Sequence, residues 1–318
     1  MMDAKENLLR AIHYDNPAYV PRSDEALFAG LQLKGNFQHG NWVDAWGVRW
    51  EATLAQFVPF PKGNPLPSLD LLDAYRLPDP AALLADDEVL APLRRSDRGR
   101  FFVTGNLTYL LFERAWALMG MDNFMLALRT HRAEMHALLD AIADYDVQVF
   151  DRYLELGVDA ISFSEDLGSQ RALLISPQDL RTFFVPRYRR IFAHAVQAGV
   201  VVRFHSCGCV QAIAQDLAQA GATVLNPVQA RANDLERLKA DASSVGLALE
   251  GGIDSHLLTL GSPAEVRAET LRVLRLLAPG GGYIAGPDQA MPWPQANYDA
   301  MMATVQAYGR YPLALPAA

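Results

Sequence analysis

From residue 100 onward, short apolar runs that end in polar or glycine residues alternate with longer amphipathic stretches, and this rhythm constrains the fold more than any other feature. The short runs are RFFVTGN (100–106), DAISFSED (159–166), VVVRFHSCG (200–208), TVLNPVQ (223–229), LALEGGID (247–254) and GYIAGPDQ (282–289). Between them lie helix-like stretches such as TYLLFERAWALMG, PQDLRTFFVPRYRRIFAHAVQAG, VQAIAQDLAQAG and SPAEVRAETLRVLRLLAPGG. Strand and helix alternating in this way point to a parallel α/β sheet joined by right-handed crossovers. Six such strands, with one or two from the N-terminal third, would close a (β/α)8 TIM barrel. An open doubly wound sheet would carry a glycine-rich phosphate turn, and neither G-x-G-x-x-G nor G-x-x-x-x-G-K-[ST] occurs.

Residues 17–100 lack the rhythm and are rich in Pro, Gly and Trp, as in DAWGVRWEATLAQFVPFPKGNPLPSLDLLDAYRLPDP. The expected organisation is an N-terminal helix and irregular cap over 1–99, packed on a barrel body over 100–318, in a single structural domain.

Composition narrows the function classes. With 51% hydrophobic and 20% charged residues, the 318-residue chain can bury a large core. Its formal charge of -8 and the lack of a basic cluster exclude a nucleic-acid partner. The opening MMDAKENLLRAIHYDNP reads as an amphipathic helix with Leu8, Leu9, Ile12 and His13 along one side, not as a secretory signal. No run approaches the ~18 apolar residues of a membrane span. Two cysteines only two positions apart do not make a structural disulfide, so a cytoplasmic location is expected.

Each strand candidate ends in residues that a packed core would not hold: Asn106; Ser164, Glu165 and Asp166; His205, Ser206 and Cys207; Asn226 and Gln229; Asp254; Asp288 and Gln289. In a barrel these C-terminal ends converge on one mouth, where active sites of the fold lie. Polar strand-to-helix loops and helix caps are the plainer explanation, and Ser255 and Asn226 suit it. His205 and Cys207 differ in kind. Alternation along a strand puts them on one face, so that imidazole and thiolate can grip one ion, for which zinc is the natural choice. A Cys207/Cys209 redox pair lacks the helix-start setting that lowers a thiol pKa, and Cys209 reads as a packing residue. A catalytic zinc takes three protein ligands. Asp288, Glu165 and Asp166 are the candidates for the third; His256, in DSHLLTLGSP, suits a surface helix position better.

HSCG at a strand end, followed by LNPVQ, GGID and LAPGGGYIAGP and preceded by EDLGSQRALLISPQDLRTFFVPRYRRIF, resembles the uroporphyrinogen decarboxylase superfamily. KENLLRAIHYDNPAYVP and DAWGVRW resemble its cobalamin-dependent methyltransferase and O-demethylase branch, so the resemblance covers nearly the whole chain. It implies a (β/α)8 barrel and a zinc held by a His-x-Cys pair, matched here by His205 and Cys207. The branch supplies a third ligand from a late cysteine, and Asp288 of AGPDQAMP falls where that cysteine would stand. The expected metal set is therefore His205, Cys207 and Asp288.

The resemblance further implies a methyltransferase that moves a methyl group between a small methylated compound, such as a methoxylated aromatic, and the cobalt of a corrinoid on a separate protein. This chain has no D-x-H-x-x-G motif to bind cobalamin itself. Zinc would activate the leaving oxygen while Glu165 or Asp166 supplies a proton, with His205 completing the catalytic group. Asn106, Asn226 and Gln229 would orient the substrate, and Phe163, Tyr283, Met291 and Trp293 would form an apolar wall. The alternative is a metal-free decarboxylase. Against it, the early R-Q-A-G-R and late G-H-G signatures of true uroporphyrinogen decarboxylases are missing, and outside the first helix LLRAIHYDNPAYVPR and VDAWGVRW offer only Arg22 and Arg49 toward substrate carboxylates. The methyl donor, the direction of transfer and the oligomeric state stay open.

Overall fold

Runs of β-branched and aromatic residues bounded by Gly, Pro and Asp become strands in the computed structural model, which describes residues 3–23, 29–31, 41–51, 59–84, 97–99 and 101–316. The chain begins with helix α1 (Ala4–Ile12), capped by the Asp3 carboxylate on the Glu6 N–H. It then enters strand β1 (Ala29–Leu31) and a three-stranded antiparallel sheet of β2 (Trp42–Val43), β3 (Arg49–Glu51) and β4 (Phe60–Gly63). A short helix α2 (Pro80–Leu84) follows.

The body then alternates strictly. Strand β5 (Val103–Leu107) leads to α3 (Phe112–Met119), α4 (Met121–Thr130) and α5 (Arg132–Glu155). Strand β6 (Ala160–Ser164) leads through a π-helical turn, Leu180–Phe184, to α6 (Val185–Gln197). Strand β7 (Val201–His205) precedes α7 (Ala214–Ala220), and β8 (Val224–Val228) precedes α8 (Leu235–Ser244). Strand β9 (Ala248–Ile253) is followed by α9 (Ser255–Leu260) and α10 (Pro263–Leu277), and β10 (Tyr283–Pro287) by α11 (Gln295–Tyr308).

Among the described residues, seven strands form one all-parallel sheet in the order β1-β5-β6-β7-β8-β9-β10. Ala29–Leu31 pairs at the β5 edge, while Arg22 makes a parallel bridge to Ala285 at the β10 edge. The N-terminal segment thus touches both edges, as the closure of a barrel requires. Each of the six strands expected from the sequence is present; the expected start of the first, at Arg100, lies outside the described residues.

Because all these strands run in one direction, their C-terminal ends share one mouth. Register sets which side chains face inward there. Ser162 pairs with Arg203, Ser164 with His205, and His205 with Asn226. Below this layer Arg203 crosses the interior to Glu250 through two bonds of 2.7 and 2.8 Å and reaches Ser162 Oγ at 3.2 Å. The buried carboxylate of Glu250 is fully paired, which makes its burial tolerable.

The DAWGVRW segment is a built cap. Asp44 accepts from the N–H groups of Trp46 and Val48 (both 2.9 Å), from Trp50 Nε1 (3.0 Å) and from Arg114 of α3 (2.8 Å). Trp50 stacks on Tyr109 at 4.8 Å between centroids. One carboxylate therefore ties the cap to α3, and the Trp50–Tyr109 stack ties it to the loop after β5. Among the described residues no helix is long and apolar enough to cross a membrane.

Candidate metal centre

Strand β7 ends at His205, and the chain turns through Ser206 before Cys207. The turn is held by backbone contacts that only glycine permits. Gly208 has φ +85, and a Cβ there would stand 2.4 Å from the Gly168 carbonyl oxygen. Cys209 N–H donates to Ser169 O at 2.7 Å, and Gly208 N–H to Gln229 Oε1 at 3.0 Å. The loop after β6 and the loop after β7 are thereby fixed against each other.

Asp166, His205 and Cys207 each bring one ligand atom into a single cluster, the three atoms lying within 4.8 Å of one another. Cys207 Sγ is 3.5 Å from His205 Nε2, and His205 Nε2 is 3.7 Å from Asp166 Oδ1. Zinc bonds of about 2.3 Å to sulfur and 2.0 Å to nitrogen, at a tetrahedral angle, put those two atoms about 3.5 Å apart, so the residues fit the ion. The outer contacts fit too. Asn226 Oδ1 lies 2.9 Å from His205 Nδ1, and an Nδ1–H donated there leaves Nε2 free as a ligand. Asp166 Oδ1 also accepts from the Cys207 N–H at 2.8 Å. Gln289 Nε2 donates to Cys207 Sγ at 2.9 Å.

Burial sets the protonation of these groups. Desolvation pushes the Cys207 thiol up to about 12, with the Asp166 charge acting in the same direction. Desolvation lowers the His205 imidazole below its ordinary value, against the opposing pull of Asp166.

The sequence-derived candidates separate by position. Asp288 stands outside the cluster: its Oδ2 accepts from Ala230 N–H at 3.0 Å and its Oδ1 from Ser255 N–H at 2.9 Å. It clamps the turn after β10, and Ser255 Oγ completes the clamp on the Gln289 N–H at 2.7 Å. Glu165 is fully buried and faces the helix layer, accepting from the N–H groups of Leu111, Phe112 and Glu113 and from the Tyr188 hydroxyl. It satisfies the first donors of α3, and burial raises its carboxyl to about 7 in spite of those bonds. Phe163 packs among Phe150, Phe192 and Phe204, and the Tyr283 hydroxyl donates to Gly251 O within the core. Asn106 and His205 line a small cavity of about 170 Å³ above Arg203. Asn226 contacts the imidazole, and Gln229 Oε1 holds Gly208 and Gln170.

A larger chamber of about 350 Å³ adjoins the cluster, with Gln229 and Gln289 in its wall and Leu260 and Met291 at its lip. Sequence reasoning placed Gln289 at the mouth but gave it no role. The signal available was its place beside Asp288 at the end of β10. Glu113, buried beside Asp166 and Glu165, was missed as well; burial and those two charges hold its carboxyl well above the usual range.

A full-length match among known structures agrees with this architecture. A methyltransferase from Methanosarcina mazei superposes with a TM-score of 0.76 at 20% identity, covering 96% of this chain and 99% of its own. A B12-independent methionine synthase from Shewanella sp. W3-18-1 gives a TM-score of 0.44 at 11% identity over 64% of this chain and 61% of its own. No curated protein sequence matches the chain. The family model for uroporphyrinogen decarboxylase (URO-D) matches residues 111–311, the stretch that carries β6 to β10 and every residue of the cluster, and the chain therefore belongs to the URO-D family.

Proposed function

We propose that this protein is a zinc-dependent methyltransferase that moves a methyl group between a small methyl ether and the cobalt of a corrinoid carried by a separate protein. The observation that carries the reading is the Asp166–His205–Cys207 cluster at the barrel mouth, with its 3.5 Å sulfur–nitrogen separation and the chamber beside it. The full-length likeness to a methyltransferase fold supports it.

The three ligands would be Asp166, His205 and Cys207, leaving one position open to substrate. A bound zinc supplies Lewis acidity toward an ether oxygen, which makes a poor leaving group a better one. The chain's own residues do the rest. Asn226 fixes the tautomer and rotation of His205, and Gln289 stabilises negative charge on Cys207 by its N–H. The loop contact at Gly168 and Gly208 holds the cysteine in register with Asp166. Departure of the oxygen as a free alcohol requires a proton, which solvent at the open mouth can deliver, since Glu165 lies behind the sheet against the first turn of α3.

The test is methyl transfer from a panel of methoxylated aromatics to cob(I)alamin by the zinc-loaded enzyme. Transfer that disappears on chelation and in Asp166→Ala and Cys207→Ser is the expected result. Full activity in the metal-free enzyme or in both variants would rule the reading out.

A further inference from the structure

We infer that the chamber of about 350 Å³ beside Cys207 binds an uncharged methyl compound and rejects its anionic and cationic analogues. The inference deepens the methyltransferase reading, on which it rests for the methyl group alone; the selection by charge follows from the chamber wall.

Every charged side chain in that wall already has a partner. Arg231 Nε lies 2.7 Å from Asp254 Oδ2, and Asp254 Oδ1 accepts the His256 N–H at 2.9 Å. Asp288 has both carboxylate oxygens on backbone N–H groups. An anion entering the chamber would find its single guanidinium already bonded to Asp254 and turned half to solvent, and a cation would find both carboxylates engaged. Either ion would give up part of its hydration and meet no unengaged countercharge in return.

What the wall does offer is amide chemistry. Gln229 Oε1 is taken by Gly208 and Gln170, and Gln289 Nε2 by Cys207. Gln229 Nε2, Gln170 Oε1 and Gln289 Oε1 have no hydrogen-bond partner among the described residues. One donor group and two acceptors, set in a mainly apolar cavity of small-molecule size, suit a neutral ligand with a hydroxyl beside its methyl ether. Gln289 is the shared wall, touching sulfur with one end of its amide and lining the chamber with the rest.

Calorimetric titration of the zinc-loaded protein with ortho-methoxyphenol, ortho-methoxybenzoate and ortho-methoxybenzylamine tests this directly, because binding is read without turnover. The phenol should bind at least about tenfold more tightly than either ion. In Asp254→Asn, which keeps a helix cap but frees Arg231, the preference for phenol over benzoate should fall by about tenfold, and Gln289→Met should weaken the phenol by about fivefold. Equal or tighter binding of either ion to the wild type, or no binding of the phenol, overturns the inference. Neither result bears on whether methyl transfer to cob(I)alamin occurs, so the two readings fail separately.

Discussion

The amide nitrogen of Gln289 lies 2.9 Å from the sulfur of Cys207, across 82 residues of chain. The contact exists because Asp288 and Ser255 clamp the turn after β10, leaving the next side chain aimed at the cluster. An N–H donated to a ligand sulfur lowers the energy of its lone pairs. With cobalt(II) in the site, Gln289→Met should therefore move the sulfur-to-metal absorption band to longer wavelength. An unshifted band would show that the amide does not reach the sulfur in solution.

Asp288 acts in this structure as an acceptor of two backbone N–H groups. In Asp288→Asn one oxygen becomes an NH2 group facing a donor, so the variant should lose about 1–3 kcal/mol of stability in urea unfolding. Its zinc content should remain that of the wild type. Loss of zinc with unchanged stability would return Asp288 to the ligand set.

The positive φ of Gly208 and its approach to Gly168 leave no room for a methyl group. Gly208→Ala should displace Cys207 and weaken zinc binding by about 10- to 100-fold in competition with a chelator. Cys209→Ser should bind zinc as the wild type does. Equal affinity in both variants would remove the loop contact from the account.

Glu165 carries a pH signature. Its carboxyl is raised from 4.5 to about 7, chiefly by burial, so the native state holds the proton more tightly than the unfolded chain. Its contribution to stability is largest below pH 4.5 and is lost as pH rises to about 7. Across that window the wild type should lose stability relative to Glu165→Gln, with a slope of up to about 1.4 kcal/mol per pH unit. Parallel stability curves for the two proteins would contradict this placement.

Much of this architecture is written in the chain. The six apolar runs mark six parallel strands, since each is too short for a helix and is followed by one. His205 and Cys207 were legible as a pair because alternation fixes their common face. The facing of Phe163, Glu165 and Tyr283 was not. In a parallel strand buried on both sides, apolar content does not reveal which face points inward. Register does: Ser162 and Ser164 sit beside Arg203 and His205, so Phe163 and Glu165 face the helices. Ile284 pairs with Glu250, whose side chain points inward to Arg203, so its neighbour Tyr283 faces outward. The same parity assigns Asp166, not Glu165, to the cluster. The place of Asp288 outside the cluster depends on backbone N–H groups of Ala230 and Ser255, which no residue pattern announces.

X-ray absorption at the zinc edge of the loaded enzyme tests the central claim most directly. The cluster of Asp166, His205 and Cys207 requires a single sulfur at about 2.3 Å, with the remaining nitrogen and oxygen neighbours at about 2.0 Å. Two sulfurs, which would bring Cys209 into the site, or none at all, would contradict it.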